Sequence, residues 1–211
     1  MVINSSLYQA RSIVFTPIDY EEDAPVISKW SHDSRYTRML STEPAIPLSP
    51  EQVKKKLEAI EKEMDEKNVY YFSIHTTSSR NGKEGMLVGF ARIYWIEWSH
   101  GTGMLELGIG DPQQWGKGYG AQALDLLLRF AFRELNLHRL SAKMPEYNHR
   151  ALALFKKAGF VEEVRRRKAV QRDKRRWDML HLGILKEEWL TRSGLRNQNN
   201  NAHKKGTDNG R

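Results

Sequence analysis

The sequence predicts a single domain of mixed α/β fold, and three observations support this prediction. The chain has 211 residues, of which 39% are hydrophobic, and this is enough to bury a core in a domain of ordinary size. Segments with strand-like alternation and segments with helical apolar spacing follow one another along the chain. A loop with three glycines lies between a predicted strand and a predicted helix. We therefore expect one mixed sheet with flanking helices.

The first half of the chain predicts a strand and two helices before a hairpin. Residues 12–17 have the composition of a strand, and residues 20–32 carry apolar side chains on one helical face. Ser49 is a predicted N-cap with Gln52 three positions later. A helix is therefore expected to begin directly after the cap and to run to residue 67.

Alternation and turn residues define the remaining elements. Gly159 is the expected C′ residue of one helix. Turns are expected at residues 78–85 and, between the last two strands, at the basic segment 171–176. The remaining predicted strands are 69–76, 86–95, 104–110, 138–144, 160–170 and 177–185. The remaining predicted helices are 121–135 and 148–158.

Both ends of the chain are expected to lie outside the folded domain. We predict an N-terminal extension at 1–11, the domain at 12–190, and a disordered basic tail at 191–211, which lacks apolar periodicity. The N-terminus has no signal-peptide pattern, and no apolar run reaches the about 18 residues of a membrane span. We therefore expect a cytoplasmic protein without a membrane partner.

Composition excludes some kinds of site and leaves others open. The chain has no cysteine, which excludes disulfides, thiolate metal sites and cysteine nucleophiles. The seven histidines are not spaced as metal ligands with acids, so no metal is expected. Residues 112–211 hold 22 Lys and Arg against 10 Asp and Glu, whereas residues 1–111 hold 12 against 16. The basic half suits nucleic acid, a phosphate-rich cofactor, or simply a solvated surface.

The loop at residues 111–120 is the strongest functional signal. Its glycines, at 116, 118 and 120, allow successive backbone N–H groups to point into one concavity. The helix that follows adds the free amides of its first turn and the positive end of its dipole. This combination predicts a site that binds a pyrophosphate through the backbone, although glycine-rich turns without a ligand are also common.

Two familiar phosphate-binding motifs fit this loop poorly. A Walker loop needs Ser or Thr after Gly-Lys, and Lys117 is followed by Gly118. A dinucleotide fingerprint is formally present from Gly116 to Ala121, but it requires an acidic residue about 20 positions later. The nearest acid at the end of the next strand is Glu146, which comes too late in the chain.

A third motif fits better. Gln113-x-x-Gly116-x-Gly118 resembles the Gln/Arg-x-x-Gly-x-Gly/Ala motif of the GNAT superfamily of N-acetyltransferases. The segments that accompany it are Leu107-Gly-Ile-Gly-Asp-Pro, Asn136-Leu-His-Arg-Leu, Asn148-His-Arg-Ala, Lys157-Ala-Gly-Phe-Val-Glu-Glu and Leu182-Gly-Ile-Leu-Lys-Glu-Glu-Trp189. In this order they resemble the branch that contains RimJ/RimL-type ribosomal-protein N-acetyltransferases and spermidine acetyltransferases. The resemblance covers residues 12–190.

The resemblance implies a fold, a cosubstrate and a set of contacts. The family's sheet splays open between its fourth and fifth strands, here residues 104–110 and 138–144, and acetyl-CoA lies in that opening. Its pantetheine arm would pair with residues 107–110, and its pyrophosphate would bind the amides of residues 115–120. The implied cofactor-binding residues are Leu107, Gly108, Ile109, Gly110, Gln113, Trp115, Gly116, Lys117, Gly118, Tyr119, Gly120, Asn148 and Phe155.

Glu106 is the candidate general base for acetyl transfer. The acceptor amine must be neutral, and at pH 7 an alkylammonium of pKa about 10.4 is neutral in about one molecule in 10³. A base, usually acting through water, removes that proton. By strand alternation Glu106 shares a face with Gly108 and Gly110, although it can also be read as a solvated strand residue. Glu97 and His100 are the reserve candidates.

Phe155 departs from the family pattern. Many members carry a tyrosine at this position, which protonates the departing CoA thiolate, and phenylalanine has no proton to donate. Water or Tyr147 could replace it. The alternatives to an enzyme are a CoA-binding pseudo-enzyme or sensor, which Phe155 suggests, and a nucleic-acid- or ribosome-associated module, which the basic second half of the chain suggests. For the enzyme we expect a monomer or homodimer that acetylates a peptide or protein α-amine, or another weakly basic amine, rather than spermidine.

Overall fold

A computed structural model describes residues 6–77 and 85–194 of the chain. The predicted turn at 78–85 and the predicted tail thus fall largely outside the described residues. A short 3₁₀ turn and a π-helical turn lie at Pro112–Gln114 and Phe130–Glu134. The elements are β1 (Ile13–Thr16), α1 (Tyr20–Ser31), α2 (Ser34–Leu40), α3 (Pro50–Asp65), β2 (Tyr70–Thr76), β3 (Leu87–Glu97), β4 (Thr102–Ile109), α4 (Tyr119–Arg129), β5 (Arg139–Pro145), α5 (His149–Ala158), β6 (Val161–Arg172), β7 (Arg175–Leu185) and α6 (Lys186–Arg192).

The seven strands form one mixed sheet in the order β1-β2-β3-β4-β5-β7-β6. All neighbouring strands are antiparallel except β4 and β5, which are parallel. The parallel pairing joins only residues 102–104 of β4 to residues 139–141 of β5. Beyond Met104 the two strands continue without pairing, so the sheet opens between them. The predicted mixed fold with a sheet splayed between its fourth and fifth strands is confirmed.

Helices cover both faces of the sheet. On one face α4, the π-helical turn, α5 and α6 pack on the main core, whose fully buried members include Ile93, Leu105, Leu124, Leu127, Leu140 and Leu182. On the other face α1 and α3 cover a smaller cluster that includes Ala24, Val53, Leu57 and Phe90. The odd-numbered residues of β4 face the main core, and its even-numbered residues face α1, α2 and α3.

The start of α3 agrees with the capping signal in the sequence. Ser49 Oγ accepts a hydrogen bond from the Gln52 N–H at 3.2 Å, and Gln52 Oε1 accepts one from the Ser49 N–H at 2.9 Å. This reciprocal pair satisfies two donors that would otherwise lack partners. The helix ends at Asp65, two residues before the predicted end.

Two short helices are absent from the sequence prediction. α2 has seven residues and buries only Tyr36, and α6 has seven residues and buries only Trp189. A helix of two turns with one buried residue shows no apolar periodicity, because the pattern needs a window of about 11 residues or more. α6 extends to Arg192, within the predicted tail. The division of the chain into extension, domain and tail stays a prediction.

Candidate active site

The opening between β4 and β5 exposes backbone groups of β4. The Gly110 N–H donates to the Val88 carbonyl of the β3 side at 2.9 Å. Because alternate residues of a strand bond to opposite neighbours, Leu107 and Ile109 direct their N–H and C=O groups toward β5. The pairing with β5 ends at Met104, so these groups lie in the opening.

The loop after β4 is fixed to the end of that strand by Trp115. Its indole Nε1 donates to the Ile109 carbonyl at 2.7 Å, and the guanidinium of Arg150 lies 4.8 Å from the ring centroid. The Gln113 N–H donates to Asp111 Oδ1 at 2.8 Å, whereas the exposed Gln113 side chain points to solvent. The loop is therefore held by its indole and its backbone.

The first turn of α4 supplies backbone donors next to this loop. Gly116 and Gly118 have φ angles of 81° and 84°, a region that glycine adopts without strain. Gly118 is the N-cap of α4 and contributes no side-chain hydrogen bond. The first bond of the helix runs from the Gln122 N–H to the Gly118 carbonyl. The three preceding amides, at residues 119–121, are thus directed at the loop with the positive end of the helix dipole.

Lys117 and Gly120 lie beside these amides. Lys117 is exposed, and its ammonium donates to Gln114 Oε1 at 2.7 Å. A Cβ built on Gly120 would contact Leu154 at 3.5 Å, because the start of α4 packs against α5. Tyr119 is half-buried and packs against the main core. Backbone donors, the positive end of the helix dipole and one flexible cation thus lie together here, and their binding of an anion stays a prediction.

A cavity of about 790 Å³ lies on the opposite face of the sheet, between the helices α1, α2, α3 and the strands. Its walls include Glu106 of β4 and both Lys143 and Pro145 of β5. Since side chains from both separated strands line it, the cavity meets the opening of the sheet. Tyr36 of α2 and Tyr71 of β2 also line it.

Glu106 lies in this cavity and is paired with Arg92. The two residues are directly opposite on β4 and β3, and Arg92 Nε and Nη2 lie 2.7 and 2.5 Å from Glu106 Oε2. The pair is partly exposed, with 30% and 24% of the two side chains accessible. The guanidinium also lies 4.7 Å from the ring centroid of Tyr94. Arg92 therefore holds one oxygen of the carboxylate and orients the side chain.

Three tyrosines around Glu106 stay protonated. Burial raises the pKa of Tyr36, and the Tyr71 hydroxyl and the Glu106 charge act in the same direction. Burial likewise raises the pKa of Tyr71 and of Tyr94. Their hydroxyls are therefore hydrogen-bond donors across the physiological pH range.

Gly108 and Gly110 share the cavity face with Glu106, as strand alternation predicts. A Cβ on Gly108 would lie 2.9 Å from the Phe90 ring and 3.3 Å from Tyr36 Oη, and a Cβ on Gly110 would lie 1.8 Å from the Trp30 ring. Aromatic residues of β3 and α1 therefore leave no room for a side chain at these two positions. This packing reason is independent of any cofactor.

The reserve candidates do not reach the cavity. Glu97 accepts a hydrogen bond from Thr102 Oγ1 at 3.0 Å at the exposed β3–β4 turn, and His100 lies exposed in the same turn. Among Glu97, His100 and Glu106, the cavity is lined by Glu106. Within residues 6–77 and 85–194, no group of three His, Asp or Glu side chains could hold a metal ion. None of the helices described there is long and apolar enough to cross a membrane.

The turn between β5 and α5 is tied to α2. Asn148 caps α5, because its Oδ1 accepts from the Ala151 N–H at 3.1 Å, and its Nδ2 donates to the Met39 carbonyl at 2.9 Å. The Tyr147 hydroxyl donates to the Arg38 carbonyl at 3.1 Å. Both side chains are therefore engaged within the protein.

Phe155 is part of the main core. It is 4% exposed and its ring lies 4.9 Å from that of Phe160. Tyr36 and Arg92, which the sequence did not single out, line the cavity instead. Tyr36 lies on a helix too short to predict, and the position of Arg92 opposite Glu106 depends on a hairpin register that alternation alone does not define.

Comparison with known proteins identifies the domain. The acetyltransferase (GNAT) domain family matches residues 12–161. The uncharacterized N-acetyltransferase YnaD of Bacillus subtilis is 32% identical over 81 residues, 38% of this chain and 48% of that protein. A spermidine N(1)-acetyltransferase of Vibrio cholerae is 28% identical over 107 residues, 51% of this chain and 61% of that protein. The chain thus aligns with about half to three fifths of the length of these relatives.

Solved structures share the fold. The spermidine N-acetyltransferase of Vibrio cholerae in complex with CoA and spermine has a TM-score of 0.71 and 20% identity, and the match covers 84% of this chain and 98% of that one. The family match extends from residue 12 to the beginning of β6, and it includes both the opening of the sheet and the glycine-rich loop at residues 111–120. The chain therefore belongs to the acetyltransferase (GNAT) domain family.

Proposed function

We propose that this protein transfers an acetyl group from acetyl-CoA to the primary amine of an acceptor that binds beside Glu106. One observation carries the proposal: the pairing of β4 with β5 stops at Met104, and residues of both strands then line a single cavity. The backbone amides at residues 119–121 lie at one end of this opening, and the carboxylate of Glu106 lies at the other. This is the arrangement needed to bring a phosphate-bearing acyl donor and an amine together.

The residues around the opening fit acetyl-CoA. The backbone groups of Leu107 and the N–H of Ile109 can bond to the amides of its pantetheine arm, whereas the Ile109 carbonyl already accepts from Trp115 Nε1. The amides at residues 119–121, with Lys117, can bind its pyrophosphate, because glycines at 116 and 118 leave the space beside them open. When bound, acetyl-CoA supplies an acetyl group activated as a thioester.

Glu106 accepts a proton from the acceptor amine, directly or through water. Arg92 contacts this partly exposed carboxylate through Oε2, so we propose that Oε1 accepts the proton. A positioned base contributes about 10²–10⁴-fold to the rate of such a step. The protonated hydroxyl of Tyr36 in the same cavity can orient the amine or its water by hydrogen bonding.

The charge of the cavity favours a weakly basic amine. Its walls carry three carboxylates and three cations, namely Glu43, Glu63, Glu106, Lys56, Arg92 and Lys143. A polycation gains little from a lining in which the charges balance. An α-amine, of pKa about 7.7–8.0, is neutral in about one molecule in ten at pH 7 and needs less help to react. We therefore propose a peptide or protein α-amine, with spermidine as the alternative that the Vibrio cholerae relative suggests.

The test is CoA-thiol release with acetyl-CoA and a panel of amines: spermidine, free lysine, and Ala-, Ser- and Met-initiated peptides. We expect the peptides to have the highest kcat/KM. Glu106→Gln should lower kcat by about 10²-fold or more and leave the thermal shift induced by CoA unchanged. Glu97→Gln makes the same chemical change on a neighbouring strand outside the cavity, and we expect it to keep the wild-type rate.

Two outcomes would contradict the proposal. A preference for spermidine would reject the proposed acceptor, and full activity of Glu106→Gln at pH 6–9 would reject the proposed base. CoA binding without turnover on any amine would favour the pseudo-enzyme or sensor that Phe155 suggests. A cytoplasmic location, a monomeric or dimeric state, and contact with RNA or a ribosome remain proposals; salt-dependent RNA binding would support the last of these.

A further inference from the structure

The cavity of about 790 Å³ around Glu106 is called the acceptor cavity below. A second cavity of about 480 Å³ adjoins it on the same face of the sheet. The two cavities share four wall residues, Thr42, Trp95, Lys143 and Met179. The second cavity extends from these residues across β5 and β7 toward β6. A molecule whose amine lies beside Glu106 can therefore reach into it without leaving the protein surface.

The loop that covers the junction of the two cavities is held in place by β6. Arg172 Nη2 donates to the carbonyls of Ser41 at 3.3 Å and Glu43 at 2.6 Å. Arg38 of α2 forms an ion pair with Asp173 at the tip of the β6–β7 hairpin at 2.5 Å. Both contacts join the helical side of the acceptor cavity to the hairpin, so the two cavities form one groove.

The charges of the second cavity differ from those of the first. Its walls carry Lys143, Arg166 and His181, and among the residues that the structure describes they include no Asp or Glu. The acceptor cavity, by contrast, has as many carboxylates as cations. The electrostatic potential of the groove therefore becomes more positive from Glu106 toward Arg166.

Among the described residues, no carboxylate forms an ion pair with the cations of the second cavity. Arg165, the preceding residue, forms ion pairs with Glu162, Glu146 and Asp178. In residues 6–77 and 85–194 no such ion pair involves Arg166 or Lys143, and the Lys143 ammonium lies 5.4 Å from the Trp95 ring centroid.

His181 completes this set of groups. It faces Lys143 across the β5–β7 pair, and its Nε2 is buried without a hydrogen-bond partner among the described residues. Burial lowers the pKa of His181, and the charges of Arg166 and Lys143 lower it further. Lys143 and Arg166 are exposed at this cavity, and the buried His181 Nε2 lies with them in its wall. An anionic ligand group can therefore pair with the two cations and provide a partner for the imidazole.

We infer that the second cavity binds a carboxylate of the acceptor, so that the preferred substrate is a peptide with a free α-amine and an acidic side chain within its first residues. This inference rests on the proposed function, which places the amine beside Glu106. The basic half of the chain is then used, in part, to select the acceptor.

The experiment compares two tetrapeptide amides, Ser-Asp-Asp-Ala and Ser-Asn-Asn-Ala, which differ only in their carboxylates. We expect wild-type kcat/KM to be about tenfold higher for the acidic peptide, at about threefold for each unpaired cation, and mainly through KM. Arg166→Gln and Lys143→Gln should each reduce this preference to about threefold, because each removes one of the two cations that would pair with the carboxylates. Calorimetric titration with the same peptides measures binding independently of turnover.

Arg167→Gln is the matched control, because it removes one positive charge from the next residue of β6, which lies outside both cavities. We expect it to retain the tenfold preference. Equal kcat/KM and affinity for the two peptides would overturn the inference, as would an equal loss of preference in Arg167→Gln. Acetylation of both peptides without preference rejects the inference alone, whereas Arg166-dependent binding without turnover rejects the proposed function alone.

Discussion

Replacing Gly118 with valine tests whether the first turn of α4 binds the phosphates of CoA. Gly118 has a φ of 84°, and a Cβ added there meets only Gln122 Nε2, at 3.9 Å. The added Cβ therefore causes no clash, and the expected cost of the substitution is backbone strain of about 1–3 kcal/mol. For a domain of this size the melting temperature should fall by about 2–12 °C. The variant is expected to fold.

The effect on CoA binding should be larger than this strain suggests. The valine side chain stands beside the amides at residues 119–121 and keeps a phosphate from close approach. Loss of one charged hydrogen bond, about 1.5–3 kcal/mol, weakens binding by about 10- to 150-fold. At a CoA concentration of about 100 times the wild-type Kd, ligand stabilisation is about 2.7 kcal/mol, and in the variant it should fall to about half or less.

Thermal unfolding with and without CoA measures both effects. The wild-type melting temperature should rise by about 5–11 °C. Gly194→Val is the matched control, because Gly194 also has a positive φ, 69°, with no described atom within 4 Å of an added Cβ. It lies after α6 and should lose stability without losing the CoA-induced shift. A folded Gly118→Val protein with an unchanged shift would show that CoA binds elsewhere.

Three further predictions concern stability. Gly110→Ala should lower the free energy of unfolding in urea by about 1–3 kcal/mol or more, because the new methyl group overlaps the Trp30 ring; wild-type stability would contradict this packing. Ser49→Ala should cost about 1 kcal/mol through loss of the capping box of α3, and an unchanged urea midpoint would show that the cap contributes nothing. Burial raises the pKa of Asp23 above that of the unfolded chain, so its contribution to stability is greatest at low pH and is lost as the pH rises. The free energy of unfolding of the wild type relative to Asp23→Asn should therefore increase as the pH falls from 7 toward 4, and a difference independent of pH would contradict the raised pKa.

Local signals in the sequence predict most of the fold. The capping box of α3, the C′ glycine of α5 and the alternation along the strands involve residues only a few positions apart. The predicted elements lie within a few residues of their bounds, except that the helix predicted at 121–135 is an α-helix only to Arg129 and then a π-helical turn to Glu134. The loop glycines likewise predict the left-handed turns at Gly116 and Gly118 and the helix that begins there. The helices α2 and α6 are too short to produce such a signal.

By itself, then, the sequence determined the order of the strands and of the longer helices, the glycine-rich turn before α4 and the strand face that Glu106 shares with Gly108. Only the tertiary structure decided what surrounds that carboxylate. The register of β3 with β4 places Arg92 opposite Glu106. Tyr36 reaches the same cavity from α2, which precedes β2 and β3 in the chain and is thus distant in sequence from Glu106. The same holds for the cations Lys143 and Arg166, which come from different strands of the groove. Contacts between residues distant in the chain depend on strand register and helix packing, which local alternation and capping do not encode.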